Sequence, residues 1–241
     1  MSVAPPCHSS GAKPPLIPPG QVPQHVAVVM DGNGRWAAER GLPRTEGHRA
    51  GEEALVEVVA GAIEAGVSWL SVYAFSTENW RRSPSEVRFL MGYSRRVLRA
   101  KRDLFDSWDV RVRWSGERRR LWPSVIRELE EAEAQTSQNT GLVLTLCVNY
   151  GGRAEIAAAA QQLAEQGSEI TEDSLSEQMS TPPVDMFWRT SGEARLSNFL
   201  LWQSAYAELV FTDKLWPDVD RRDLWDGIVR YGRRERRYGA A

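Results

Sequence analysis

The sequence predicts an α/β fold: a single domain with a central, mostly parallel sheet flanked by helices. Three observations predict it. Short apolar runs of strand length alternate with helical patterns of ten or more residues, the signature of βαβ units. The 241 residues are 42% hydrophobic, enough apolar material for a full core. Four of the strand-like runs end in polar turns, DGNGR, STENW, NYGGR and RTSGE. In a parallel sheet those carboxyl ends are where ligands bind.

The elements follow in order. Residues 1–23 hold seven prolines and read as a flexible leader, with the catalytic domain over residues 24–241. His25–Met30 is a short β-branched run and so a buried strand. Gly51–Ala65 has helical period and stops at Gly66. Trp69–Phe75 is a second strand. Ser83-Pro84-Ser85-Glu86 predicts a capping box with proline at the first helical position, opening a helix to about Phe105. Val110–Ser115 alternates strictly and predicts a half-exposed strand. Ser124–Thr136 is a helix, Leu142–Asn149 a strand, Arg153–Gln166 an alanine-rich helix, Val184–Trp188 a strand, and Arg221–Arg236 the last helix.

Composition excludes several classes. A net charge of −2 gives no global field for nucleic acid. No apolar run approaches the length of a membrane span, and the amino-terminal segment lacks the apolar core of a signal peptide. Two cysteines, Cys7 and Cys147, suggest no disulfide framework and fit a reducing cytoplasm. Of the ten tryptophans, several are expected to line an apolar pocket.

The strand ends carry the chemistry. In DGNGR, Gly32 and Gly34 let backbone amides approach an anion, and Arg35 adds a cation. Asp31 would repel a phosphate unless a divalent cation stood between them, and Mg²⁺ binds in that way, by one or two carboxylates plus substrate phosphates. Alone, the stretch reads equally well as a tight turn capped by Asp31. RTEGHR adds Arg44 and His48; His48 and His25 are the histidines placed for acid–base work. After Phe75, Ser76 and Asn79 offer neutral hydrogen bonds, and Arg82 could meet a phosphate. In RTSGEARLS, Arg189 and Arg195 supply planar forks suited to phosphate oxygens, with an exposed loop salt-bridged around Glu193 as the alternative. Glu208 sits in the apolar run LWQSAYAELVF, where a carboxylate needs a metal or an arginine partner.

Taken together, HVAVVMDGNGRWA, RTEGHRAG, YAFSTENWRR, NYGGR and RTSGEARLSNFLLWQSAYAELVFTDKLWPD resemble the five motif regions of the cis-prenyltransferases, the undecaprenyl and decaprenyl diphosphate synthases. The match runs in one order from His25 to Gly239 and looks closest to actinobacterial long-chain members. The resemblance implies a homodimer with an apolar tunnel. It implies condensation of isopentenyl diphosphate with an allylic diphosphate of farnesyl or geranyl type, with Mg²⁺ as cofactor. The product would be a Z-polyprenyl diphosphate, a lipid-carrier precursor for cell-wall synthesis.

By the same resemblance, Gly32, Asn33, Gly34, Arg35, Arg44 and His48 would hold the allylic diphosphate, and Arg189, Arg195 and Ser197 the isopentenyl diphosphate. Asp31 and Glu208 would serve the metal, with Glu208 reaching across the dimer. Ser76 and Asn79 would assist proton removal, and Thr77, Glu78 and Arg82 would border the substrates. Trp36 and Trp80 would wall the site. Arg237 and Gly239 belong to a tail that folds over the partner's site in the family. The proton acceptor stays open between His48, Asp31 and the leaving diphosphate. The small residue Ala74 resembles long-chain members, whose tunnel is unblocked there. Alternatives are a short- or medium-chain synthase and a non-catalytic accessory subunit. The expected location is the cytoplasm, with peripheral membrane contact through the lipid product and no nucleic-acid partner.

Overall fold

The computed structural model describes residues 3–18 and 20–234. The strands are β1 (His25–Val29), β2 (Trp69–Ser76), β3 (Arg111–Ser115), β4 (Val143–Tyr150), β5 (Met186–Arg189) and β6 (Glu208–Phe211). The helices are α1 (Asn33–Glu39), α2 (Arg44–Ala65), α3 (Pro84–Ser107), α4 (Pro123–Gln135), α5 (Gly152–Glu165), α6 (Glu172–Gln178) and α7 (Arg221–Gly232). All six strands pair in parallel, in the order β3-β4-β2-β1-β5-β6. The expected fold class is therefore the observed one.

Burial explains the strand patterns. Every residue of β1 is buried, as a central parallel strand covered on both faces requires. Val26 and Val28 join the core beneath α2, α3, α4 and α7, whereas Ala27 and Val29 pack with Tyr150, Phe187, Phe199 and Leu200. The sheet-edge strand β3 alternates as its sequence predicted.

Three elements went unread in the sequence: α1, α6 and β6 are short, with too few residues to show a period. A fourth was misjudged, because α2 begins at Arg44 rather than Gly51. Gly47 and Gly51 weaken the helical signal there, and packing is why they are present. A Cβ at Gly47 would lie 1.9 Å from the Asn33 carbonyl oxygen, and one at Gly51 2.6 Å from Asn33 Oδ1. The start of α1 is thus seated directly on α2. At α3, Ser83 Oγ accepts from the Glu86 amide at 3.3 Å, with Pro84 at the first position, as expected. The Glu86 carboxylate turns to Arg82 and Arg44 instead of back to the cap.

The leader, expected to be flexible, makes specific contacts. The Val3 amide donates to the Ser107 carbonyl at 2.7 Å. The buried Arg221 guanidinium donates to the Pro6 carbonyl at 2.9 Å and also to Glu57 and Glu64 of α2. His8 is buried 3.8 Å from Asp220 and 4.0 Å from Glu57. A guanidinium with five donors in a buried position needs this many acceptors, and the leader supplies one of them. At the other end α7 stops at Gly232, short of the expected Arg236, which like the tail residues Arg237 and Gly239 lies outside the described residues. Among the described residues no helix is long and apolar enough to cross a membrane.

Candidate active site

The carboxyl ends of β1, β2 and β5 meet at the mouth of a cavity of about 720 Å³. Its polar end carries Asp31, Asn33 and Gly34 from the first turn, Arg44 and His48 from α2, and Ser76, Glu78, Asn79 and Arg82 from the turn after β2. Arg189, Arg195 and Ser197 close the ring. The rest passes between α2 and α3 over the sheet, past Leu55, Ala74, Leu90, Val97, Leu98 and Phe105. So the sheet order brings together motifs that lie more than a hundred residues apart.

Asp31 is held from several sides. Its backbone amide meets Thr190 Oγ1 at 3.0 Å, and its carbonyl accepts from Thr190 Oγ1 at 2.7 Å and the Trp216 amide at 3.0 Å. Its Oδ1 accepts from the Gly32 amide at 2.8 Å, and its Oδ2 from Arg189 Nη2 at 2.7 Å. Arg189 is buried and donates through Nη1 to Ser197 Oγ and the Arg195 carbonyl, leaving Nε buried without a partner among the described residues. Gly32 has φ 108°, a conformation that favours glycine, and this turns the chain from β1 into α1.

The second cationic group is organised by one carboxylate. Glu86 lies 3.1 Å from Arg44 Nε and 2.8 Å from Arg82 Nη1, fixing both guanidiniums at the rim. Between them stands His48. Burial first, then the charges of Arg82 and Arg44, lower its pKa to about 4, so it is neutral near pH 7. Its Nε2 is buried with no partner among the described residues. Ser76 and Asn79 are tied together, the Ser76 amide donating to Asn79 Oδ1 at 3.0 Å.

Several expectations need correction. His25 takes no part in the site: it opens β1 at the opposite end of the strand. Its Nδ1 meets the carbonyls of Pro182 and Pro183 and its Nε2 meets Ser71 Oγ at 2.8 Å. Facing two carbonyls, Nδ1 must carry the proton, and burial lowers the pKa to about 4. Trp36 and Trp80 do not line the cavity. Trp36 donates to Asp218 at 2.6 Å and lies under Arg40. Trp80 donates to Asn149 Oδ1 at 2.7 Å and packs against Phe75. Gly32, Arg35 and Thr77 are not among the lining residues; the half-exposed Arg35 donates to the Ser191 carbonyl at 2.6 Å and lies 3.6 Å from Glu193. Glu208 is remote from Asp31 in this chain: it stands on the edge strand β6, 3.5 Å from Arg234, the arginine partner weighed against a metal. The turn alone left Asp31 even between cap and ligand site; it both accepts from the Gly32 amide and faces the cavity.

Sequence reasoning missed Glu86 as a clamp for two arginines. It also missed Asn198, which lines the cavity and donates to Glu78 Oε1 at 2.8 Å, and Trp216, whose indole donates to the Gly51 carbonyl at 2.9 Å. Glu86 was read only as a capping residue, and Asn198 showed no signal of its own. The donors present bear on metal affinity. Among the described residues no three His, Cys, Asp or Glu side chains cluster as a cation cage. Asp31, a carboxylate bonded to Arg189 on a cavity ringed by arginines, fits an ion that takes its other ligands from a phosphate-bearing substrate.

Comparison with known proteins follows the same outline. A family model described as "Putative undecaprenyl diphosphate synthase" matches residues 29–239. A trans,polycis-polyprenyl diphosphate synthase ((2Z,6E)-farnesyl diphosphate specific) of Thermobifida fusca is 58% identical, covering 99% of this chain and 88% of that one. The decaprenyl diphosphate synthase of Mycolicibacterium smegmatis is 56% identical over 98% of this chain and 84% of its own. Among solved structures, lavandulyl diphosphate synthase from Lavandula x intermedia, in complex with dimethylallyl diphosphate, superposes with a TM-score of 0.88. It is 34% identical and covers 92% of this chain and 100% of that one.

Proposed function

We propose that this chain, which belongs to the undecaprenyl diphosphate synthase family of prenyltransferases, condenses isopentenyl diphosphate with an allylic diphosphate to give a Z-polyprenyl diphosphate. The product is a long-chain lipid-carrier precursor for cell-wall synthesis. One observation carries the reading: Arg44, Arg82, Arg189 and Arg195 ring the mouth of a cavity whose deeper walls are mainly apolar. That shape suits two diphosphates and a growing hydrocarbon.

In this reading Asn33, Gly34, Arg44 and His48 hold the allylic diphosphate, with Arg82 beside them, and Arg189, Arg195 and Ser197 hold the isopentenyl diphosphate. The two cationic groups fix the reacting carbons in near-attack geometry. The arginines stabilise charge as it gathers on the leaving diphosphate. Asp31, bonded to Arg189, would hold Mg²⁺, which would supply further neutralisation of the leaving group. His48, neutral in the free site, exchanges hydrogen bonds with phosphate oxygens. A pKa near 4 makes it a poor proton acceptor there. Ser76 and Asn79 border the carbon that loses its proton, and the departing diphosphate is the stronger candidate to take it. Gly32, Arg35 and Thr77 support the loops rather than touch substrate.

A second copy of the chain completes the assembly in this proposal. The sheet-edge strand β6, with Leu209 and nearby Tyr206 exposed, supports a homodimer, and Glu208 would meet the metal only across it. The test is direct. Purified chain is given isopentenyl diphosphate, a farnesyl or geranyl diphosphate starter, and Mg²⁺, and the products are resolved by chain length. A Z-polyprenyl ladder that chelation removes is expected. No product under these conditions would refute the reading.

A further inference from the structure

The aliphatic walls of the cavity are interrupted at one place. On α2 the lining follows helical spacing, His48, Gly51, Glu52 and Leu55, and on α3 it runs from Leu90 through Val97 and Leu98 to Phe105. Glu52 and Lys101 are charged members of these stripes, and they meet across the cleft between the two helices, Lys101 Nζ to Glu52 Oε1 at 3.1 Å. Glu52 Oε2 also accepts from the Tyr93 hydroxyl at 3.2 Å and lies 3.6 Å from Arg96. The neighbouring Arg102, also in the lining, is drawn toward Glu131 and Glu128 of the α4 side. Its Nε and Glu128 Oε2 are buried and make no hydrogen bond among the described residues, with Asp103 3.9 Å from the first and Arg102 Nη1 3.7 Å from the second. Along α3, Lys101 lies about 16 Å beyond Leu90 at 1.5 Å per residue, and its side chain reaches Glu52, one turn of α2 beyond His48.

We propose that the Glu52–Lys101 ion pair is the stop that limits how far the hydrocarbon extends, and so a determinant of product length. This rests on the prenyl-transfer reading above. Each added five-carbon unit is driven into the cavity by burial against aliphatic walls. At the ion pair that gain ends. A chain passing between the helices must pull the half-buried Lys101 ammonium away from Glu52, which keeps Tyr93 and Arg96, and leave Lys101 without this partner. Further elongation slows there while release of the finished product does not. The length at which release overtakes elongation is thereby fixed.

The experiment compares product ladders of the full-length chain, its E52L/K101M variant and the charge-reversed E52K/K101E variant, with one starter. The apolar pair carries no lone charge, and its main product is expected to lengthen by at least one five-carbon unit. Charge reversal restores the pair and is expected to keep the parent ladder. K101M alone, which leaves Glu52 with Tyr93 and Arg96, is a second arm should the double variant fold poorly, with a smaller lengthening expected. An unchanged or shortened ladder in the apolar variants overturns the proposal and makes the pair a strut between helices. Absence of any ladder from the parent chain is a different result, which removes the prenyl-transfer reading itself.

Discussion

Asp31 shows how much of a residue's role depends on what faces it. Its carboxylate is already occupied by the Gly32 amide and the Arg189 guanidinium, so the site is shaped before any substrate arrives. Asp31→Ala is expected to lower kcat at least about a hundredfold. It should leave the circular dichroism spectrum intact, because the strand end it occupies is held by backbone bonds; turnover near the parent rate would remove its proposed metal role. His25 and His48, whose pKa values burial lowers, set a pH dependence of stability. The folded pKa of His25, about 4, lies below the model-peptide value of 6.5, so the unfolded chain binds the extra proton first. Stability is full above pH 6.5, falls as pH drops toward 4, and flattens below, with a loss of roughly 3 kcal/mol for this group. Urea titrations of the parent and a His25→Asn variant check it. A slope between pH 6.5 and 4 that persists unchanged in the variant would assign the acid sensitivity to other groups. The motif arginines were readable as cations in turns, yet Glu86 was not, because a carboxylate in a first helical turn has the same sequence appearance whether it caps a helix or clamps two arginines.

At the scale of elements, close packing decided what propensity could not. Gly47 and Gly51 weaken α2 as a helix in the sequence and let α1 approach it in the structure. Gly47→Ala is expected to cost at least about 2 kcal/mol in denaturant unfolding, since the new methyl meets a backbone oxygen with no room to yield. Gly92→Ala, in α3, meets nothing within 4 Å and is expected to be neutral or to stabilise by up to about 1 kcal/mol through helix propensity. Equal effects at the two positions would show that propensity, not packing, governs α2. Strands and long helices were legible because their periods repeat within one segment. The short α1 and α6 and the edge strand β6 were not, because a few residues carry no period and owe their shape to neighbours.

Over the whole molecule the cavity is the feature that no single element contains. It needs β2 for Ala74, α2 and α3 for its walls, and the loop after β5 for Arg195 and Ser197. Ala74→Leu is expected to shorten the product by narrowing the cavity from the sheet side, read from the product ladder; an unchanged ladder would take Ala74 out of the path. The leader is also a whole-molecule matter, since Arg221 ties it to α2 through Glu57 and Glu64. By itself the sequence determined the order of strands and helices, the parallel sheet and the turns that bear charge, because hydrophobic period and turn chemistry are local. Only the tertiary structure decided that Asp31 meets Arg189, that Trp36 bonds Asp218 and Trp80 bonds Asn149, and that Glu52 and Lys101 close on each other. Those pairings follow from sheet order and helix packing, which bring together side chains whose spacing along the chain carries no record of their contact.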